Sequence, residues 1–166
     1  MKVTLIAAIS ADGKIAEHVD QSSMDWTSKE DKQFFIDKTK EIGVVVMGRK
    51  TFSTFNRALK GRRLLVLTKD PSKEKPMPGV EFSNLEPHEL VAKLESEGVT
   101  DLAVAGGASI YGQFLAAGLV TEVFLTLEPI LFGGGVPLAQ GFARVALRFQ
   151  SVKQLNSHTL LLHYLV

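Results

Sequence analysis

The chain has 166 residues, 45% of them hydrophobic and 22% charged, the balance of one folded domain with its own core and not of a disordered segment. Lys and Arg number 19 against 18 Asp and Glu, a formal net charge of +1, so no bulk field favours nucleic acid or an anionic membrane. Cysteine is absent, which excludes disulfides, thiolate nucleophiles and Cys-ligated zinc or iron–sulfur centres. The apolar opening Val3–Ile9 is too short to span a membrane and has no processing site after it. The expectation is a cytoplasmic protein, a single domain over residues 1–166, as a monomer or homodimer.

Short apolar runs alternate with amphipathic stretches along the chain. Val3–Ile9, Val44–Met47, Leu64–Leu67, Leu102–Ala105 and Val123–Leu127 predict strands covered on both faces, the habit of a largely parallel sheet. Helices are predicted between them at Lys29–Glu41, Thr51–Phe55, Pro87–Glu97 and Ser109–Ala117. The alternation gives an α/β sandwich with helices on the sheet faces. In the tail, Val145, Leu147 and Phe149 alternate with polar or small residues, predicting a half-buried strand. A turn over Lys153–Ser157 and the run Thr159–Val166 then complete an antiparallel hairpin at one edge. Pro71–Pro78 is a Lys- and Pro-containing surface loop.

Four places carry candidate chemistry. The strand ending at Gly48 runs into Arg49-Lys50-Thr51 and a helix, and a helix start with added cations attracts phosphate. Lys69, just past Leu67-Thr68, brings another cation to the same edge. The stretch from Gly43 to Thr51 is no P-loop, because a hydrophobic strand separates its glycines and an extra Arg breaks the spacing. Solvated charges on a surface turn are the plain alternative. At the second place, Ala105-Gly106-Gly107-Ala108-Ser109-Ile110-Tyr111 again joins a strand to a helix through glycines. G-x-G-x-x-G is missing, so this is not a conventional dinucleotide fingerprint. Two such sites in one small domain nevertheless point to a nucleotide.

The third is Asp31. Helical spacing puts it on one face with Phe35, facing the sheet, where a carboxyl is pushed upward in pKa and can grip the amidine-like edge of a heterocycle. Against this, Ser28-x-x-Asp31 fits a capping box in which Asp31 only reaches back to the helix start. The fourth is Thr126, inside an apolar strand, either a strand former or a hydroxyl offered to a buried carboxylate. The histidines at 18, 88, 158 and 163 show no metal-ligand spacing, and no metal is expected. His158 and His163 are predicted to face opposite sides of one strand.

In order and spacing, these segments resemble the dihydrofolate reductase superfamily, which includes the pyrimidine reductase of riboflavin synthesis. The resemblance rests on Leu5-Ile6-Ala7-Ala8-Ile9, Asp12-Gly13-Lys14-Ile15, Val46–Phe52, Gly61–Thr68, Gly106–Tyr111 and Phe124-Leu125-Thr126. It implies a three-layer α/β sandwich, with a central mostly parallel sheet, a C-terminal antiparallel hairpin and helices on both faces. It implies NADPH as cofactor and reduction of dihydrofolate to tetrahydrofolate. Ala8 and Ile15 would flank the nicotinamide. Gly48, Arg49, Lys50 and Thr51, with Leu67, Thr68 and Lys69, would hold the pyrophosphate and 2′-phosphate, and Ala105, Gly106, Gly107, Ala108, Ser109, Ile110 and Tyr111 the other side of the cofactor. Asp31, Thr126 and Trp26 would be the catalytic group, with Met24 and Trp26 on a loop closing over the nicotinamide. Ile6, Ala8, Phe35, Phe55, Leu59 and Ala105 would line the substrate groove, with Arg62 at the place of a glutamate carboxylate. The stretch Leu127–Leu138 looks more like the pyrimidine reductase branch, and so makes a ribosylated aminopyrimidine the alternative substrate. A nucleotide-binding protein without chemistry is the third reading.

Overall fold

A computed structural model describes all of residues 1–166. Ten strands and four α-helices follow one another as β1 (Lys2–Ser10), β2 (Lys14–Ala16), α1 (Lys29–Ile42), β3 (Val44–Gly48), α2 (Arg49–Ser53), β4 (Arg63–Leu67), β5 (Val80–Ser83), α3 (Pro87–Ser96), β6 (Asp101–Val104), α4 (Ala108–Ala116), β7 (Glu122–Glu128), β8 (Val136–Pro137), β9 (Arg148–Gln154) and β10 (Leu160–Leu165). Eight strands form one sheet in the order β5-β4-β3-β6-β1-β7-β10-β9, and β2 pairs with β8 apart from it. The strands from β5 to β7 run parallel, and β10 is antiparallel to both its neighbours. This is the expected sandwich.

Period-two alternation sorts the sheet into two apolar faces. On one, Leu5, Val46, Leu65 and Val104 pack with Leu90 and Leu94 of α3 and with Ile110, Tyr111 and Phe114 of α4. On the other, Ile6, Val45, Met47, Leu64, Val66 and Ala103 pack with Phe52 of α2, and Phe34, Phe35 and Ile42 of α1 close over them. The strands are apolar on consecutive residues because both faces are covered.

α1 begins at Lys29 because Ser28 caps it, and ends where Gly43 takes φ +84°. α2 starts at Arg49, two residues before the expected Thr51, so the cationic residues are its first turn. β2, β5 and β8 are short strands that the hydrophobic pattern does not reveal.

The C-terminal hairpin forms, but not as expected. Residues 145–147 are irregular, and β9 starts at Arg148 and runs through Lys153, the residue expected to open the turn. β9 is not half-buried: it is the outermost strand and every residue is exposed, Phe149 by 59%. Its apolar alternation meets no covering helix. The turn falls nearer Thr159, whose main chain closes it by accepting from Leu155. His158 consequently lies in the turn and does not share a strand with His163, which sits in β10 with Nε2 2.8 Å from Glu122 and its ring stacked on Phe124. No helix is long and apolar enough to cross a membrane.

Candidate active site

Strand register decides which side chains meet α1. In the β1–β7 pair, Ile6 lies beside Phe124, Ala8 beside Thr126 and Ser10 beside Glu128. Ile6 belongs to the α1 face, and Phe124 contacts Phe34 of α1. Alternate residues share a face, so Thr126 and Glu128 look toward α1 as well. Both are buried, 1% and 3% exposed.

Asp31, in the first turn of α1, is 9% exposed. Half of the predicted capping box forms: Ser28 Oγ accepts the Asp31 N–H at 3.2 Å. The reciprocal half does not, because the Ser28 N–H donates to Glu128 Oε1 at 2.7 Å. Glu128 Oε2 in turn accepts the Thr159 hydroxyl at 2.8 Å. A carboxylate from β7 therefore takes the reciprocal half of the box, and the Asp31 side chain is left over. Glu128 was not among the residues expected from the sequence, and its partner lies too far along the chain for any local pattern to reveal the bond.

Burial pushes the Asp31 carboxyl above the usual carboxylate range, and the charge of Glu128 adds to that push. The Thr126 and Thr27 hydroxyls act in the opposite sense without cancelling it. Thr27 Oγ1 is itself buried with no hydrogen bond, so its influence is a close approach and not a formed bond. Trp26 Nε1 is likewise buried and unpartnered. Two orphaned polar groups immediately before α1 are unusual in a folded protein and offer donors to a ligand or water. The Trp26 ring meets the edge of Phe132 at 5.1 Å. The loop between β7 and β8 that carries Phe132 is fixed by Asp12, which accepts from Ser10 Oγ and from the N–H groups of Phe132 and Gly133. These bonds, the Ser10 hydroxyl first, hold the Asp12 carboxyl down at about 2. Met24 stands 50% exposed in a single helical turn before Trp26.

Phe35, Phe55, Leu59 and Ala105 pack on the α1-side core yet stay only partly buried, a half-open apolar wall. Ala8 is also half-buried, whereas Ile6 is fully buried. At the far end, Arg62 Nη1 donates to Thr39 of α1 at 2.8 Å and Nε to the Lys60 carbonyl at 3.3 Å. No carboxylate pairs with it, and burial lowers its pKa.

The opposite flank consists of two interlocked glycine turns. Gly48 precedes α2 and Gly107 precedes α4, and neither helix has a side-chain cap. The strands before them, β3 and β6, are neighbours, and the Gly48 N–H donates to the Gly106 carbonyl at 2.8 Å. A Cβ on Gly107 would lie 2.9 Å from Thr51 Oγ1, and Gly106 holds φ +103° with the Tyr111 hydroxyl beside it. Larger residues would separate the turns. Their first N–H groups open together at one sheet edge, an arrangement that fits a pyrophosphate. Leu67 is buried at the end of β4 on the same edge, and Ile15 on β2 packs against the core. Tyr111 donates to the Ile6 carbonyl at 2.6 Å, and its hydroxyl is pushed upward by burial and by Asp31. Ser109 points outward and accepts from Gln113.

The expected cation cluster is altered. Arg49 is not free: its Nε lies 2.6 Å from Glu74 Oε1. Lys50 and Lys69 are exposed and enter no ion pair.

A mostly parallel sheet of this order, with a buried carboxyl at one helix start and paired glycine turns after β3 and β6, defines the α/β class of domain to which the chain belongs. The family described as dihydrofolate reductase matches residues 2–127, and the chain belongs to it. Among curated relatives, the uncharacterized protein YwjB of Bacillus subtilis is 27% identical over 172 residues, covering 98% of this chain and 97% of that one. Similar folds include a putative riboflavin biosynthesis protein from Shewanella sp. PV-4, with TM-score 0.82, 22% identity, and 99% and 98% of the two chains covered. A diaminohydroxyphosphoribosylaminopyrimidine deaminase/5-amino-6-(5-phosphoribosylamino)uracil reductase from Thermotoga maritima matches with TM-score 0.81 and 18% identity, over 99% of this chain and 56% of that one. A dihydrofolate reductase from Enterococcus faecalis complexed with NADP(H) matches with TM-score 0.71 and 22% identity, over 99% and 95%.

Proposed function

We propose that this protein is a nicotinamide-dependent reductase of the C=N bond of dihydrofolate. The observation that carries the reading is the Asp31 carboxyl: buried, released from helix capping by Glu128, and on the same sheet face as Thr126. A carboxyl there has no structural task of its own. Its two oxygens suit the paired N–H donors of a fused aminopyrimidine ring, which the partly buried Phe35, Phe55, Leu59 and Ala105 would clasp.

The residues that would hold the cofactor are the glycine turns at Gly48 and Gly106-Gly107 around its pyrophosphate, with Ala8 and Ile15 near its nicotinamide. When bound, the cofactor supplies the hydride. Asp31 orients the heterocycle and, as an anion beside it, favours the protonated and more electrophilic ring. Since the carboxyl grips one edge of the ring, water carries the proton to the reacting nitrogen, and the Trp26 Nε1–H is a buried donor able to hold such a water. Arg62, held by Thr39 without a carboxylate partner, would take the anionic tail of the substrate.

A second reading, reduction of a ribosylated aminopyrimidine, is favoured by the likeness to the two riboflavin-related structures. That substrate carries a phosphate, which Arg62 would meet equally well. Competition between the two acceptors for limiting enzyme, with both reduced products quantified, separates them: the present reading expects reduced folate, and reduced pyrimidine alone would replace it.

A further inference from the structure

The Arg49–Glu74 pair has no part in the chemistry just described, and it stands at the cofactor edge. β3 and β4 are neighbours with Gly48 in register with Leu67, so Arg49 and Thr68, the next residue on each, lie side by side there. Glu74 Oε1 takes both, accepting from Arg49 Nε at 2.6 Å and from Thr68 Oγ1 at 3.4 Å. The Glu74 side chain is only 14% exposed, its partner 40%.

The carboxylate is also held in place by its backbone. A single helical turn, Pro71–Lys73, precedes it. Asp70 caps that turn, accepting from Ser72 N at 3.1 Å and pairing with Lys73 Nζ at 3.0 Å. The Glu74 N–H closes it on the Pro71 carbonyl at 3.1 Å. Apart from Arg49, no cation pairs with Glu74: Lys73 is engaged with Asp70, and Lys50 and Lys69 stand in solvent, where their charge is screened.

Resting on the reductase reading, we propose that Glu74 is a specificity-determining residue that selects against a 2′-phosphate on the nicotinamide nucleotide, so that this enzyme takes NADH at least comparably to NADPH. A phosphate monoester brings roughly −1.5 to −2 charges at neutral pH. To reach Arg49 and Thr68 it must displace a carboxylate already bonded to both. A ribose 2′-hydroxyl instead donates to that carboxylate, the device by which an acidic residue recognises NAD in other dinucleotide sites. The Arg49 Nη groups make no hydrogen bond within the chain and remain able to attract the pyrophosphate common to both nucleotides.

The chain has one tryptophan, Trp26, whose fluorescence quenching reports nucleotide binding without turnover. NADH and NADPH are titrated into wild-type protein, Glu74→Gln and Glu74→Ala, with Arg49→Ala as control. Wild type is expected to bind the two nucleotides within about tenfold of each other, and Glu74→Gln to tighten NADPH by about tenfold or more while NADH stays the same or weakens slightly. Arg49→Ala in the Glu74→Gln background removes that gain. Wild-type preference for NADPH of about a hundredfold overturns the proposal. So does a Glu74 variant that moves both nucleotides alike or neither. If wild type binds neither nucleotide, the reductase reading itself falls and this inference falls with it.

Discussion

Glu128 of β7 accepts the backbone N–H of Ser28 at 2.7 Å, a bond between residues 100 positions apart that takes the reciprocal half of the α1 cap in place of Asp31. It joins the central sheet to the start of the helix that carries the candidate carboxyl. Thr159 completes it from the C-terminal hairpin. Glu128→Ala leaves a buried N–H and a buried hydroxyl without their acceptor. The expected cost is about 2–4 kcal/mol in urea unfolding, from two lost bonds to a charged group. Glu128→Gln keeps one acceptor and costs less. A loss below about 0.5 kcal/mol for Glu128→Ala contradicts this account of the helix start.

Asp31→Asn is expected to lower turnover by about 10²–10⁴-fold while the protein stays folded. The residual rate rises steeply toward low pH, because protonation from bulk solution replaces the help of the carboxyl. Far-ultraviolet circular dichroism confirms the fold, and the pH–rate profile reads the role. A rate equal to wild type at every pH removes Asp31 from the mechanism.

The same group carries a stability signature. Its folded-state pKa is raised, so between the ordinary carboxylate value and the raised one the folded protein holds more protons than the unfolded chain. Stability then falls as pH rises through that window, and the burial penalty is complete above the raised pKa. Asp31→Asn is therefore more stable than wild type at neutral pH, and its advantage shrinks to that of a neutral substitution below the unfolded carboxylate pKa. Denaturant midpoints of both proteins across acid and neutral pH test this. An advantage for Asp31→Asn that is constant with pH contradicts the raised pKa.

Arg62→Ala removes a guanidinium that no carboxylate of the chain neutralises. The expected result is a KM for dihydrofolate raised about 10–100-fold with kcat little changed, the pattern of a lost contact made equally in ground and transition states. A dihydropterin without the glutamate tail loses nothing. Equal losses for both substrates place Arg62 elsewhere.

Gly107→Ala sets a Cβ 2.9 Å from Thr51 Oγ1, and the overpacking is expected to cost about 1–3 kcal/mol. Nucleotide affinity falls as the two glycine turns separate. Thr51→Ala in the same protein recovers part of the stability, and no recovery shows that the contact is not the cause.

The fold was largely legible because it rests on local signals. Consecutive apolar residues in β1, β3, β4, β6 and β7 announce strands covered twice, and the alternation with helices announces the sandwich. The expected tail strand misled because Leu147 and Phe149 carry the alternation of a half-buried strand while standing 42% and 59% exposed at the sheet edge. Period two records apolar residues, not what covers them. In the candidate site, the inward facing of Asp31 with Phe35 followed from helical spacing. The choice between capping and ligand roles did not, since Glu128, which settles the capping, is joined to Ser28 only by folding. Glu74 was hidden similarly, in a polar loop whose composition says surface and nothing of the Arg49 it reaches.

The most direct test of the central claim follows reduced-nicotinamide absorbance in wild-type and Asp31→Asn protein with dihydrofolate as acceptor and either nucleotide as donor. Rapid dihydrofolate-dependent loss of absorbance in wild type, nearly abolished in Asp31→Asn, is the predicted result. Nucleotide binding with no dihydrofolate-dependent oxidation in wild type, or oxidation indifferent to Asp31, contradicts it.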